Sequence, residues 1–160
     1  MFEKFKTLFE KEEKAKSIEI DAVQLAVSSL MISTALHDGE FDDVEKKEIM
    51  TLLRNYYSLE DQQLTELFDN ASILLSQAND IHQFTSKINS SLSDDEKLEI
   101  IEMLWKIVIA DGKIDDYENA LIRKISGLLY IVFLFNSYTK KISCLKNLKH
   151  FLRKKKWPKA

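Results

Sequence analysis

One stretch occurs twice in this chain: Asp38-Gly39-Glu40-Phe41-Asp42-Asp43-Val44-Glu45 and, 73 residues later, Asp111-Gly112-Lys113-Ile114-Asp115-Asp116-Tyr117-Glu118. Both copies read D-G-x-Φ-D-D-x-E, with Φ a large apolar residue. Each follows a dense apolar run and precedes an amphipathic one, and this order limits the folds open to the chain. The run before the first copy, Ala22 to Leu36, carries no charged residue, and a helix without charge on any side belongs in the middle of a bundle. It is shorter than the ~20 residues that a bilayer requires, and Gln24, Ser28, Ser29, Ser33 and Thr34 interrupt it. Ala22, Ala26, Ser29 and Ser33 form a small-residue stripe that lets a neighbouring helix approach closely. The run before the second copy, Leu98 to Ala110, brings Ile100, Ile101, Leu104, Trp105, Ile107, Val108 and Ile109.

Between and around these runs the apolar residues recur at three and four positions, the helical period. Three glycines and one proline in 160 residues are too few for a turn-rich β protein. The expectation is therefore all-α, a compact bundle of about seven helices with an internal pseudo-duplication: buried helix, acidic loop, amphipathic helix, twice. Phe2, Phe5, Leu8 and Phe9 make residues 1–17 an amphipathic N-terminal helix that packs on the domain. Residues 18–130 form the body. Within it, Ile49, Leu52, Leu53 and Tyr56 mark a helix from Asp43 to Tyr57, and Ser58 with Asp61 reads as the capped start of the next, with Leu64, Leu67, Phe68, Ala71, Leu74 and Leu75 inward. Asn79 or Asp80 opens a helix with Ile81, Phe84, Thr85, Ile88 and Leu92 inward, and Ser93 with Glu96 forms a capping box before the second dense run. Tyr117, Leu121, Ile125, Leu128 and Leu129 form the face of the last body helix.

Charge is unevenly placed. Residues 131–160 hold nine of the 23 basic residues and none of the 26 acidic ones, which leaves 14 basic against 26 acidic side chains on residues 1–130. Such a body repels nucleic acid and attracts cations, whereas the tail does the reverse. The lone Cys144 excludes an internal disulfide and a thiolate metal cage and fits a reducing compartment. Phe2 to Lys16 is dense in Glu and Lys, unlike a secretory signal, so a cytoplasmic location is expected. A peripheral position at an inner membrane follows if the tail docks there.

Helix punctuation explains much of the repeated stretch. Gly39 and Gly112 stand where a helix ends and φ turns positive. Asp42 and Asp115 suit N-caps, Glu45 and Glu118 complete capping boxes three residues on, and Phe41 and Ile114 act as staples. This account leaves Asp38 and Asp111, carboxylates at helix C-termini where the dipole disfavours them by about 0.3–1 kcal/mol. A bound cation would explain them. The stretch matches the later half of an EF-hand calcium loop, but the earlier donors are replaced by Thr34 and Leu36 in one copy and Ile107 and Ile109 in the other. Neither copy is a complete EF-hand. Clustered carboxylates favour a hard cation, Ca²⁺ or Mg²⁺, held weakly or between both loops, with Asp38, Asp42, Glu45, Asp111, Asp115 and Glu118 as candidate ligands.

The second copy with its flanks, Leu104-Trp105-Lys106-Ile107-Val108-Ile109-Ala110 before it and Leu121-Ile122-Arg123-Lys124-Ile125 after it, resembles the TerB family associated with tellurite resistance. The resemblance spans roughly Ala22 to Tyr130. It implies a compact helical domain, similar to the one in DjlA-type membrane co-chaperones, that works in bacterial stress responses and binds metal through these acids. The tail departs from that pattern. Either the coding sequence shifts frame near Tyr130, or residues 136–160 form a basic helix with Ile142, Leu145, Leu148 and Leu152 on one face, suited to anionic lipid or nucleic acid.

Isolated residues offer little chemistry. His37 adjoins Asp38, but its counterpart in the second copy is Ala110; His82, His150 and Cys144 have no chemical partner nearby in sequence, and Trp105 falls on an apolar face. No G-x-G-x-x-G, P-loop, H-E-x-x-H or G-x-S-x-G is present. The expected function is a non-enzymatic stress-response domain that binds a divalent cation or a protein partner through its acidic loops. The alternative is an adaptor whose loops are structural and whose basic tail docks on a membrane or membrane protein.

Overall fold

The computed structural model describes residues 20–36, 41–110, 112 and 116–131. Among these there are six helices: α1 (Ala22–Ala35), α2 (Asp43–Tyr57), α3 (Asp61–Gln77), α4 (His82–Ser91), α5 (Asp94–Val108) and α6 (Asp116–Leu128). The fold is an all-helical bundle, as the periodicity requires. The seventh helix, expected over residues 1–17, lies outside the described residues, as does the tail beyond Ile131.

The charge-free run is the central element. All five other described helices pack on α1, most extensively α3 and α4. Val27, Leu30, Met31 and Ile32 are fully enclosed. The small-residue stripe serves as expected: Ser29 Oγ donates to the Ala71 carbonyl of α3 at 3.3 Å, a cross-helix bond that requires close approach. Ser33 and Thr34 return their hydroxyls to the Leu30 carbonyl at 2.8 and 2.9 Å. Ser28 Oγ is buried and has no hydrogen-bond partner among the described residues. An unsatisfied buried hydroxyl is destabilising, so Ser28→Ala is expected to raise stability by about 1 kcal/mol, read as a higher urea midpoint at unchanged slope.

The internal duplication appears in the element bounds. Ala35 and Val108 end α1 and α5, Asp43 and Asp116 begin α2 and α6, and both pairs are separated by the same 73 residues as the acidic stretches. The body's core-facing residues follow the expected pattern in α2 to α5, including Trp105, which is 4% exposed. In α6 the expected face holds at Ile125 and Leu129, which are buried, and at Leu121, which packs on the core. Tyr117 departs from it at 54% exposed, and Glu118, Ile122 and Ser126 are buried beside the expected residues.

Helix ends follow backbone needs more than side-chain identity. Ser93 and Glu96 form the expected capping box, with Ser93 N donating to Glu96 Oε2 at 2.7 Å and Glu96 N to Ser93 Oγ at 3.3 Å. Ser58 does not open α3. It closes α2 in the left-handed region (φ 53°), and α3 is capped instead by Glu60 with Gln63 as its reciprocal partner. Arg54 pairs with Asp61 across this turn. At the end of α6, Tyr130 also takes a left-handed conformation (φ 60°): Tyr130 N donates to the Gly127 carbonyl at 3.1 Å and Ile131 N to the Ser126 carbonyl at 3.1 Å. This is a Schellman closure with tyrosine where glycine is usual. Tyr130 is 82% exposed and loses little packing if removed. Tyr130→Gly is thus expected to stabilise the chain by about 1 kcal/mol, measured by denaturant unfolding.

Candidate functional site

Of the six candidate acids, Asp42, Glu45 and Glu118 are described; Asp38, Asp111 and Asp115 lie outside the described residues, as do His37, Gly39 and Ile114. Asp42 is the N-cap of α2, its Oδ1 accepting from Val44 N at 3.1 Å. Gly112 has φ +82°, the positive value expected of it, and its N–H donates to the Ile109 carbonyl at 3.0 Å. These positions behave as helix punctuation.

The glutamates behave differently. Glu45 is 6% exposed and Glu118 is 7% exposed, whereas Glu96, the glutamate of the complete capping box, is exposed. The cause is register. Glu45 stands one turn before Ile49, and Glu118 one turn before Ile122, so each carboxylate occupies the first position of its helix's core-facing stripe. Ile49 and Ile122 are themselves fully enclosed. Burying a carboxylate is expensive unless donors or positive charge surround it, and both glutamates take part in interactions there. Neither the capping role nor the ligand role expected of them from sequence foresaw this burial. The available signal was a glutamate exactly four residues ahead of a core isoleucine in both copies.

The large apolar residue of the first copy has a defined role. Phe41 packs on Phe68 of α3 with ring centroids 6.0 Å apart, and Lys46 Nζ stands 5.4 Å from the same ring. The staple expected of Phe41 is therefore made through Phe68, with the lysine one turn inside α2 on the same ring.

One groove lies between the start of α2 and the end of α5. It measures about 310 Å³ and is lined by Val44, Lys47, Glu48 and Thr51 of α2 and by Lys106, Ile109 and Ala110 at the end of α5. Val44 of the first stretch and Ala110, the residue before the second, stand on its walls. Lys47, Lys106 and Glu48 are its charged lining residues. Among the described residues, no three His, Cys, Asp or Glu side chains gather closely enough to hold a metal ion, so any such site must draw on the acids outside that set.

At the far end of α2, Tyr56 and Tyr57 meet edge to face, centroids 4.9 Å apart. Burial raises the Tyr57 phenol well above its ordinary value, with Tyr56, Asp21 and Glu96 adding to the shift. Tyr56 is raised by burial and then by Glu99 and Glu96. The N-termini of α1 and α5 therefore lie beside the C-terminus of α2, opposite the groove. Lys97, unexpectedly for a lysine, is only 7% exposed and bonds to Asp94 Oδ1 at 3.1 Å. No helix among the described residues is long and apolar enough to cross a membrane.

Comparison with known proteins returned no matching curated protein and no matching solved structure. The family model of the tellurite resistance protein TerB matches residues 24–132, from the first turn of α1 to just past the closure of α6. That span takes in the central helix, both acidic stretches and both buried glutamates, and the chain belongs to the TerB family.

Proposed function

We propose that this TerB-family chain is a non-enzymatic stress-response domain of the tellurite-resistance type, and that its two acidic stretches bind a divalent cation, Ca²⁺ or Mg²⁺. The observation that supports this most is the paired burial of Glu45 and Glu118 at one motif position in both halves. A glutamate used only for capping needs no burial, as Glu96 demonstrates. A carboxylate held at the end of an acid-rich stretch gains from a cation that shares its lone pairs. Asp38, Asp42 and Glu45 form one ligand set in this reading, and Asp111, Asp115 and Glu118 the other. Hard oxygen ligands without thiolate or histidine select Ca²⁺ or Mg²⁺ over softer metals.

The competing reading is an adaptor module in the cytoplasm whose acidic stretches are structural and whose basic tail docks on a membrane or a membrane protein. The cap bond of Asp42 and the positive φ of Gly112 favour it at those two positions. Calorimetric titration with Ca²⁺ and Mg²⁺ separates the two readings. Saturable heat that disappears in the Asp38→Asn, Asp111→Asn double variant is expected. No heat, or heat that survives the double substitution, leaves the adaptor.

A further inference from the structure

The groove between α2 and α5 has the form of a helix seat. Val44, Lys47, Glu48 and Thr51 are successive members of one face of α2, and across from them stand Lys106 in the last turn of α5 and Ile109 and Ala110 just past its end. Its lining is mixed: Val44, Ile109 and Ala110 are apolar, and Lys47, Glu48, Thr51 and Lys106 are polar or charged. Val44 is 49% exposed there, one of the few large hydrophobic side chains so exposed among the described residues. The volume of about 310 Å³ is roughly twice the ~150 Å³ that encloses one benzene ring.

We propose that this groove is the seat of the chain's own N-terminal segment, with Phe5 and Phe9 inserted from one face of a helix. Length and direction favour this occupant. The segment joins the described body at Ile20, which packs on the core, and at Asp21, the N-cap of α1. Asp21 lies at the Tyr57 end of α2, as its effect on that phenol requires, so a helix folding back over α2 must start from there and run toward Val44. Tyr57 to Thr51 covers six residues, about 9 Å of helix, and Thr51 to Val44 seven more, about 10 Å. Residues 16 to 10, which carry only charged side chains and Ala15, match the first distance; Phe9 to Phe2 matches the second. The apolar half of the segment therefore falls over the groove, and the charged half over the stretch of α2 outside it. An amphipathic helix suits this mixed lining, its aromatic anchors meeting Val44 and Ile109 and its Lys and Glu side chains meeting Lys47, Glu48 and Lys106.

A nitroxide on Thr7→Cys, in the full chain with Cys144→Ser, tests the seat by NMR. Thr7 is two residues from both Phe5 and Phe9, so the label sits on the opposite face and leaves docking undisturbed. Strong attenuation is expected at the amides of Val44–Thr51 and Ile109–Ala110, with none at α4, which packs on α1 and α6. The attenuation is expected to vanish when Phe5→Glu and Phe9→Glu are added. Three results overturn the proposal: no attenuation at the groove, attenuation that survives those substitutions, or attenuation seen only between labelled and unlabelled chains mixed together. The last of these would assign the groove to a second copy.

Discussion

Leu30→Ala lowers the stability of the chain by about 3–5 kcal/mol, a fall in Tm on the order of 10 °C. Leu30 is fully enclosed at the middle of α1, on which every other described helix packs. Truncation leaves a cavity that these partners cannot close together, because each is already fixed against α1 and a neighbour. Ile73→Ala, at a site 55% exposed on α3, changes stability by no more than about 0.5 kcal/mol. Thermal unfolding of the two variants beside the parent chain makes the comparison. Equal losses would mean that α1 is not the element around which the bundle is packed.

Glu45→Gln combined with Glu118→Gln reduces divalent-cation affinity by about tenfold or more, equivalent to at least ~1.4 kcal/mol, without unfolding the chain. Glutamine keeps the shape and one acceptor oxygen, so a glutamate that only caps or fills space survives the exchange. A cation ligand does not, because the amide oxygen lacks the carboxylate's charge. Calorimetry gives the affinity and circular dichroism the fold. Unchanged cation binding in this double variant would reduce both glutamates to structural residues.

The bundle was largely legible because its apolar pattern is strong and its helices have good stops. Ala22–Ala35 and Asp43–Tyr57 emerge within a residue of the boundaries that charge and periodicity mark out. The Ser93–Glu96 box was readable from two residue types at one spacing. Ser58 was misread because serine is a common N-cap; its left-handed φ is imposed by the turn between α2 and α3, which no local pattern encodes. Tyr130 is a similar case, since a helix closure that usually takes glycine gives no such sign here. The candidate acids were legible in composition, but the burial of Glu45 and Glu118 was not. A glutamate on an apolar stripe looks like any first-turn acid until the register of its helix is known, and in α6 Ile122 was passed over for Tyr117.

The account rests centrally on cation binding at the paired stretches, and NMR titration of the full chain with Ca²⁺ and then Mg²⁺ tests it most directly. Saturable amide shifts are predicted at Phe41–Glu45, Gly112 and Asp116–Glu118, with α4 unmoved. Shifts that do not saturate, or that map away from both stretches, would contradict it.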